Sequence, residues 1–292
     1  MTALSPRPQS TYPKSANDVT LSEVVVGLDC PQPRPIALSV RGLCFDYDDG
    51  SGTHKASVLN HLDLTVYEGD RVGVIGCNGV GKTTLFHSIC GVLTPTAGAI
   101  ELFERPVQPG QFSHDVGLVF QNPNDQLFSA RVWDDIAFGP QNMGLPNEDI
   151  SRRVQHVMQV TGTQSLAERP PHQLSGGQKR MVAIASILAM QPKLTIFDEP
   201  SANLDCRSRR RLIHFLQEMS QTIMLASHDL ELVLEVCDRV VILDGGQVVA
   251  DGPARQMMAN RDMMERYGLE CPHSLTHTHT DPAQNASQNA VH

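Results

Sequence analysis

From Ile36 onward the chain alternates apolar and polar residues. "IALSVRGLCFDY" and "HLDLTVYEGD" carry the spacing of half-buried strands. "RVGVIG" follows as a short apolar run, a buried strand, and leads through a Gly-rich turn into the helical "KTTLFHSICGVL". Three further apolar runs, "DVGLVFQ", "KLTIFDEP" and "TIMLASH", predict strands, and "RVVILDGGQVVADG" predicts a hairpin on a Gly-Gly turn. In "EDISRRVQHVMQV", Ile150, Val154, Val157 and Met158 fall on one helical face. "MVAIASILAM" is too short to span a bilayer and predicts a buried helix. Strands separated by helices make a layered α/β core, with a helical subdomain inserted from about 122 to 191.

The ends read differently. Residues 1–35 are rich in Pro, Ser, Thr and Gln, and such a segment buries too little apolar surface to offset its ordering entropy, so a flexible leader is expected. The folded domain is expected over 36–268 and a polar tail over 269–292. The tail contains "CPHSLTHTHT", with His273, His277 and His279 close together. On a Pro-flanked polar segment these histidines lack a frame to fix metal geometry, so a solvated tail is expected, with weak Ni²⁺ or Co²⁺ binding as the intermediate case.

Composition narrows the class. Hydrophobic residues are 40% and charged residues 19% of the 292, the balance of a cored soluble protein. With 23 Lys+Arg against 32 Asp+Glu the net charge is -9, which argues against nonspecific nucleic-acid or anionic-lipid binding. The basic run Arg207, Arg209, Arg210, Arg211 reads as a solvated helix face. Seven cysteines, an odd number with no C-x-x-C pair, make neither a disulfide framework nor a zinc knuckle and suit a reducing cytosol. No signal-peptide pattern opens the chain.

The chemistry starts at "GCNGVGKTT", Gly76 to Thr84, which fits G-x-x-x-x-G-K-[ST] between a strand and a helix. Its glycines let consecutive N–H groups converge on phosphate oxygens, aided by the helix N-terminus. Lys82 is expected to reach the β- and γ-phosphates of ATP, and Thr83 to give a hydroxyl to Mg²⁺. Asp198 and Glu199 leave the end of the strand "LTIFDEP", where ligands gather in α/β sheets. Asp198 is placed to hold Mg²⁺, and Glu199 to deprotonate the attacking water.

"LSGGQKR", Leu174 to Arg180, makes the chain resemble the ATP-binding subunits of ABC transporters over roughly residues 38 to 268. The resemblance implies the ABC ATPase fold, with a RecA-like phosphate-loop core, an N-terminal antiparallel β subdomain and an inserted helical subdomain. It makes Tyr47 the aromatic that stacks on adenine, and Gln121 the glutamine that senses Mg²⁺ and water. His228 becomes the switch histidine at γ-phosphate, and "SANLD" a dimer-contacting loop. The ATP-binding set is then Tyr47, Gly76, Asn78, Gly79, Gly81, Lys82, Thr83, Thr84, Ser175, Gly176, Gly177 and Gln178. The catalytic set is Glu199, His228 and Gln121, with Mg²⁺ on Thr83, Gln121 and Asp198. Ser175, Gly176 and Gly177 start a second anion-binding helix. In the family that end closes on ATP held by a partner subunit, so two chains, expected to be a homodimer, make two sites.

"FQNPNDQLFSARVWDDIAFGPQNMGLP", Phe120 to Pro146, resembles the ATPases of energy-coupling-factor importers, Asp125 matching the family's acidic residue. In those proteins this region docks a membrane scaffold. Here Phe128, Trp133 and Phe138 are candidates for such a surface or, by default, for burial. The resemblance implies a peripheral protein on the cytoplasmic face of the membrane, with a transmembrane scaffold, a substrate-binding membrane protein and no nucleic acid as partners. The "GLECPHS" ending resembles the dedicated cobalt and nickel ATPases, so cobalt or nickel is the expected cargo and a vitamin the alternative. A soluble ABC ATPase of DNA repair, translation or cluster assembly competes, but one cassette without a coiled-coil insertion, and the "QNPNDQLF" stretch, speak against it. A metal storage protein leaves the ATPase motifs unexplained.

Overall fold

A computed structural model describes residues 34–48 and 55–276, and the folded unit begins at Pro35. The expected leader, and His277 and His279, lie outside the described residues. β1 (Ile36–Asp48) and β2 (Lys55–Tyr67) pair antiparallel, and β3 (Arg71–Ile75) runs into α1 (Lys82–Ile89). β4 (Ala97–Leu102) and β5 (Arg105–Pro106) return to the first pair, giving an antiparallel sheet in the order β2-β1-β4-β5.

β6 (Val116–Val119) leads into α2 (Val132–Asn142), α3 (Asn147–Thr161) and α4 (Gly176–Leu188). β7 (Leu194–Asp198), α5 (Cys206–Glu218), β8 (Thr222–Ala226), α6 (Leu230–Val236) and the hairpin of β9 (Arg239–Asp244) and β10 (Gln247–Pro253) follow. The second sheet has the order β10-β9-β3-β8-β7-β6, parallel except for β10. Layers cover it on both faces, which is why β6, β7 and β8 are apolar without alternation and buried at every position. Gly245 and Gly246, at φ 53° and 75°, make the hairpin turn that L side chains disfavour.

One apolar core lies between the two sheets, around Leu38, Leu43, Phe86 and Ile196. A second packs Phe197, Ile213 and Leu232 on the far face, and a third holds the helical subdomain together through Ile136, Val154 and Val182. Ile150, Val154, Val157 and Met158 are all buried, as their spacing predicts.

Two expectations change. Phe128 and Phe138 are not buried: they are 66% and 46% exposed and meet edge to face at 4.9 Å, while Trp133 is half-buried. The face that α2 buries is Val132, Asp135, Ile136, Ala137 and Pro140, and Phe138 falls beside it. The basic run is pinned rather than merely solvated. Arg209 pairs with Asp229, Arg210 with Glu235 at 2.7 Å, and Arg211 donates to the carbonyls of Thr161 and Gly162 at 3.0 and 3.1 Å.

α7 (Ala254–Ala259), α8 (Arg261–Arg266) and the short α9 (His273–Thr276) close the described chain. Leu269, Cys271 and Leu275 pack on the second core, and Ser274 donates to Glu231 through its N–H at 2.9 Å and its hydroxyl at 2.7 Å. His273 is exposed at the start of α9.

Candidate active site

The loop between β3 and α1 is shaped by its glycines. Gly76, Gly79 and Gly81 have φ of 156°, 80° and 104°. A Cβ on Gly76 would strike the carbonyl of Leu243, and one on Gly81 would come within 3.0 Å of the carbonyl of Val58. No side chain caps the start of α1, so its first N–H groups are left for an anion. Lys82 is 7% exposed and donates to the carbonyls of Gly76 at 2.7 Å and Cys77 at 3.0 Å, which bends the loop around its ammonium. Cys77 turns the other way, its thiol 3.3 Å from the carbonyl of Tyr267.

The acidic pair completes the floor. Thr83 donates its hydroxyl to Asp198 at 2.8 Å, bringing two hard oxygens together across β7 and α1. That donor set fits Mg²⁺, which binds through one or two carboxylates and otherwise keeps water and substrate phosphate. Glu199 sits at φ 46°, a left-handed backbone costing about 1–3 kcal/mol and typical of functional positions. Its N–H donates to the carbonyl of Ala226 at 2.9 Å, and its Oε2 accepts from the N–H of His228 at 3.1 Å. Its Oε1 is buried and accepts no hydrogen bond among the described residues, though His228 Nε2 stands 3.3 Å away. A carboxylate oxygen so placed can accept a proton from water.

Burial holds the Glu199 carboxyl above the ordinary glutamate range, against the opposing pull of the His228 N–H, His228 and Lys82. A base must be ionised to act, so activity falls as pH drops through this raised value. The acid limb of a kcat–pH profile is therefore expected above the ordinary glutamate value of about 4.3.

A cleft of about 280 Å³ is lined by Tyr47, Val58, Asn78, Gly79, Gly81, Lys82, Thr83, Thr84, Gln121, Asp198, Glu199 and His228. It thus gathers the residues expected at adenine, phosphate, metal and water except Gly76, which lines a hollow beside it with Ser227 and His228. Tyr47 is 46% exposed, its hydroxyl 3.4 Å from Thr84 Oγ1. Ser175, Gly176, Gly177 and Gln178 do not line it. Gly176 lines a neighbouring hollow of about 300 Å³ with Asn124 and Asn203, and Gln121 lines both. Ser175 caps α4 in a capping box, accepting from the Gln178 N–H at 3.3 Å while its own N–H donates to Gln178 Oε1 at 2.9 Å. Within one chain, therefore, the phosphate loop and the start of α4 line different hollows, which adjoin at Gln121.

Gly177 has no room for a side chain, because a Cβ would come within 2.8 Å of Ser208 Cβ on α5. Gly177→Ala is expected to lower unfolding stability by about 1–3 kcal/mol in a urea titration, as overpacked sites do. Unchanged stability would mean that α4 and α5 separate freely.

Known proteins bear on this geometry. The family model for ABC transporters matches residues 59–202. An ABC transporter ATP-binding protein of Synechocystis sp. is 53% identical over 243 residues, covering 83% of this chain and 84% of its own. The chain belongs to the ABC transporter ATP-binding family. As an ABC ATPase it is an ATP hydrolase, and such enzymes use ATP with Mg²⁺, which the Thr83–Asp198 pair fits. The energy-coupling factor transporter ATP-binding protein EcfA of Methanocaldococcus jannaschii is 37% identical over 243 residues, 80% of this chain and 85% of that one. Among solved structures, cbiO1 of Clostridium perfringens, described as part of the ABC transporter complex cbiONQ, superposes with a TM-score of 0.70. It is 34% identical, and the match covers 83% of this chain and 98% of that one.

Some of this ABC ATPase's polar framework escapes a sequence reading. Arg180 and Gln126 bind the strand end that carries Gln121, and the Arg209–Asp229 pair ties α5 to the turn after His228. In the sequence Arg180 stands beside Lys179 just ahead of the apolar run of α4, so its residue type alone does not mark it.

Proposed function

We propose that the chain is the ATPase of an energy-coupling-factor importer, working as a head-to-tail homodimer beneath membrane partners and powering uptake of cobalt or nickel. The observation that supports the dimer is that no residue of the signature, Ser175 to Gln178, lines the phosphate cleft of its own chain. Lys82 and the start of α1 hold the phosphates, Tyr47 stacks on adenine, and Thr83, Asp198 and Gln121 serve Mg²⁺. Glu199 takes the proton of the attacking water while His228 faces the γ-phosphate. Ser175, Gly176 and Gly177 of the partner subunit close the site. Binding energy for the ATP-bound closed state drives the movement, and hydrolysis releases it.

The likeness to EcfA and to cbiO1 supports the importer class, and the name cbiONQ supports a complex with further subunits. The exposed Phe128–Phe138 pair, beside the strand end that carries Gln121, offers an apolar surface to a membrane scaffold. On this reading the protein sits on the cytoplasmic face through its partners. No helix among the described residues is long and apolar enough to cross a membrane. Cargo metal, on this reading, is handled by the substrate-binding partner; among the described residues no cluster of three or more His, Cys, Asp or Glu able to hold a metal occurs.

Reconstituting the chain in vesicles with a membrane scaffold protein and a substrate-binding membrane protein, sought in the adjacent reading frames, tests the proposal. ATP-dependent accumulation of Co²⁺ or Ni²⁺ is expected. Accumulation of a vitamin instead would move the cargo assignment, and ATP hydrolysis without any uptake would favour a soluble role. A truncation lacking residues 277–292 belongs in the same assay, since it spares the docked α9.

A further inference from the structure

Arg180 is the feature that the roles above leave unused. It lies on α4 at 2% exposure, among Met181, Val182, Ala183 and Ile184, all of them buried. Its guanidinium donates to the carbonyl of Phe120 at 2.6 Å and to that of Gln121 at 2.6 Å, and its Nε has no acceptor among the described residues. No carboxylate forms an ion pair with it among the described residues; Asp198 acts on it only through its field.

A buried cation without a paired anion is costly, and an apolar side chain of similar volume would serve packing better. Burial lowers its pKa to about 10, partly countered by Asp198, so it stays charged at neutral pH. What the charge accomplishes is local: two charge-assisted hydrogen bonds, each stronger than a neutral one, clamp consecutive carbonyls. Gln126 adds to the clamp. It accepts from the N–H of Phe120 at 3.2 Å and donates to the Ala183 carbonyl at 2.6 Å and the Ser186 hydroxyl at 2.9 Å. The strand end bearing Gln121 is thus fastened to α4 from both sides, and α4 is the helix that Ser175 begins.

We propose that Arg180 is a positioning residue for hydrolysis, which sets the Gln121 side chain in the cleft by fixing its main chain to the signature helix. Ligand contact at the start of α4 then bears directly on Gln121. The inference rests on the ATPase reading of the cleft.

The test is a double-mutant cycle on the full chain, with Arg180→Met, Gln121→Ala and the double variant, read by ATP hydrolysis and by equilibrium binding of ATP. Arg180→Met is expected to lower kcat about tenfold or more, with the dissociation constant for ATP unchanged within about twofold. In the Gln121→Ala background it should cost little further, because both changes remove one function. Arg180→Lys, which offers one shorter-reaching ammonium where Arg180 places two separate nitrogens on the two carbonyls, should recover only part of the rate. If Arg180→Met does not fold, Arg180→Lys and Gln126→Glu carry the same cycle. Additive losses with Gln121→Ala, or full activity in Arg180→Met or Arg180→Lys, would overturn the inference. A wild-type chain that hydrolyses no ATP would instead sink the reading on which it stands.

Discussion

Glu199→Gln is expected to slow ATP hydrolysis by about 10²–10⁴-fold, the range for loss of a general base, while ATP still binds. The amide keeps the shape of the carboxyl, and its carbonyl can still accept from the His228 N–H that now meets Glu199 Oε2 at 3.1 Å. It cannot take a proton from water. Stability should not fall with activity. Burial raises the Glu199 pKa, so between its unfolded and folded values the native state binds more protons, and stability declines as pH rises through that window. Above it the ionised side chain weighs fully against folding. The neutral amide removes that burden, so at neutral pH the variant should melt no lower than wild type. With hydrolysis blocked, ATP but not ADP should shift it to a dimer in gel filtration. A variant that stays monomeric with ATP, with no further subunit needed for closure, would count against the homodimer.

Lys82→Met should weaken ATP binding by at least about tenfold and hydrolysis by about 10²–10³-fold, the loss seen when one preorganised charge donor is removed. Lys82 as a whole is 7% exposed, and its ammonium, at the cleft, holds the Gly76 and Cys77 carbonyls at 2.7 and 3.0 Å. Burial lowers its pKa, and the Glu199 and Asp198 carboxylates pull the other way. Methionine nearly matches the stem in volume, so the loop keeps its packing and loses its charge. Titration with labelled ATP reads the affinity, and a wild-type affinity would remove Lys82 from the phosphate site.

The phosphate loop and the acidic strand end were legible because each is a contiguous run whose order maps directly onto the cleft. The parallel strands were legible for a related reason: burial on both faces leaves an unbroken apolar run such as "VGLV" in β6. β4 was not, since its first three positions are exposed and only Ile100 and Leu102 turn inward. The docking of residues 269–276 was hidden because Leu269, Cys271 and Leu275 are spread through a polar stretch. Phe128 and Phe138 reversed the default of burial: Phe138 lies beside the face that α2 buries, and Phe128 lies in the segment before that helix. Arg180 showed only as one basic residue in a signature, because its partners are main-chain carbonyls some sixty positions earlier.

The composite site has a direct test by mixing two inactive chains. Lys82→Met disables the phosphate loop. Gly176→Asp places a negative charge at the start of α4, where a Cβ has room, its nearest neighbour being the Asn203 carbonyl at 3.9 Å. If each site joins one chain's phosphate loop to the other's signature, a mixed dimer has one fully intact site and one doubly disabled site. ATP hydrolysis should therefore return on mixing the two purified variants, well above the sum of each alone. A mixture as inactive as its components would contradict the shared site.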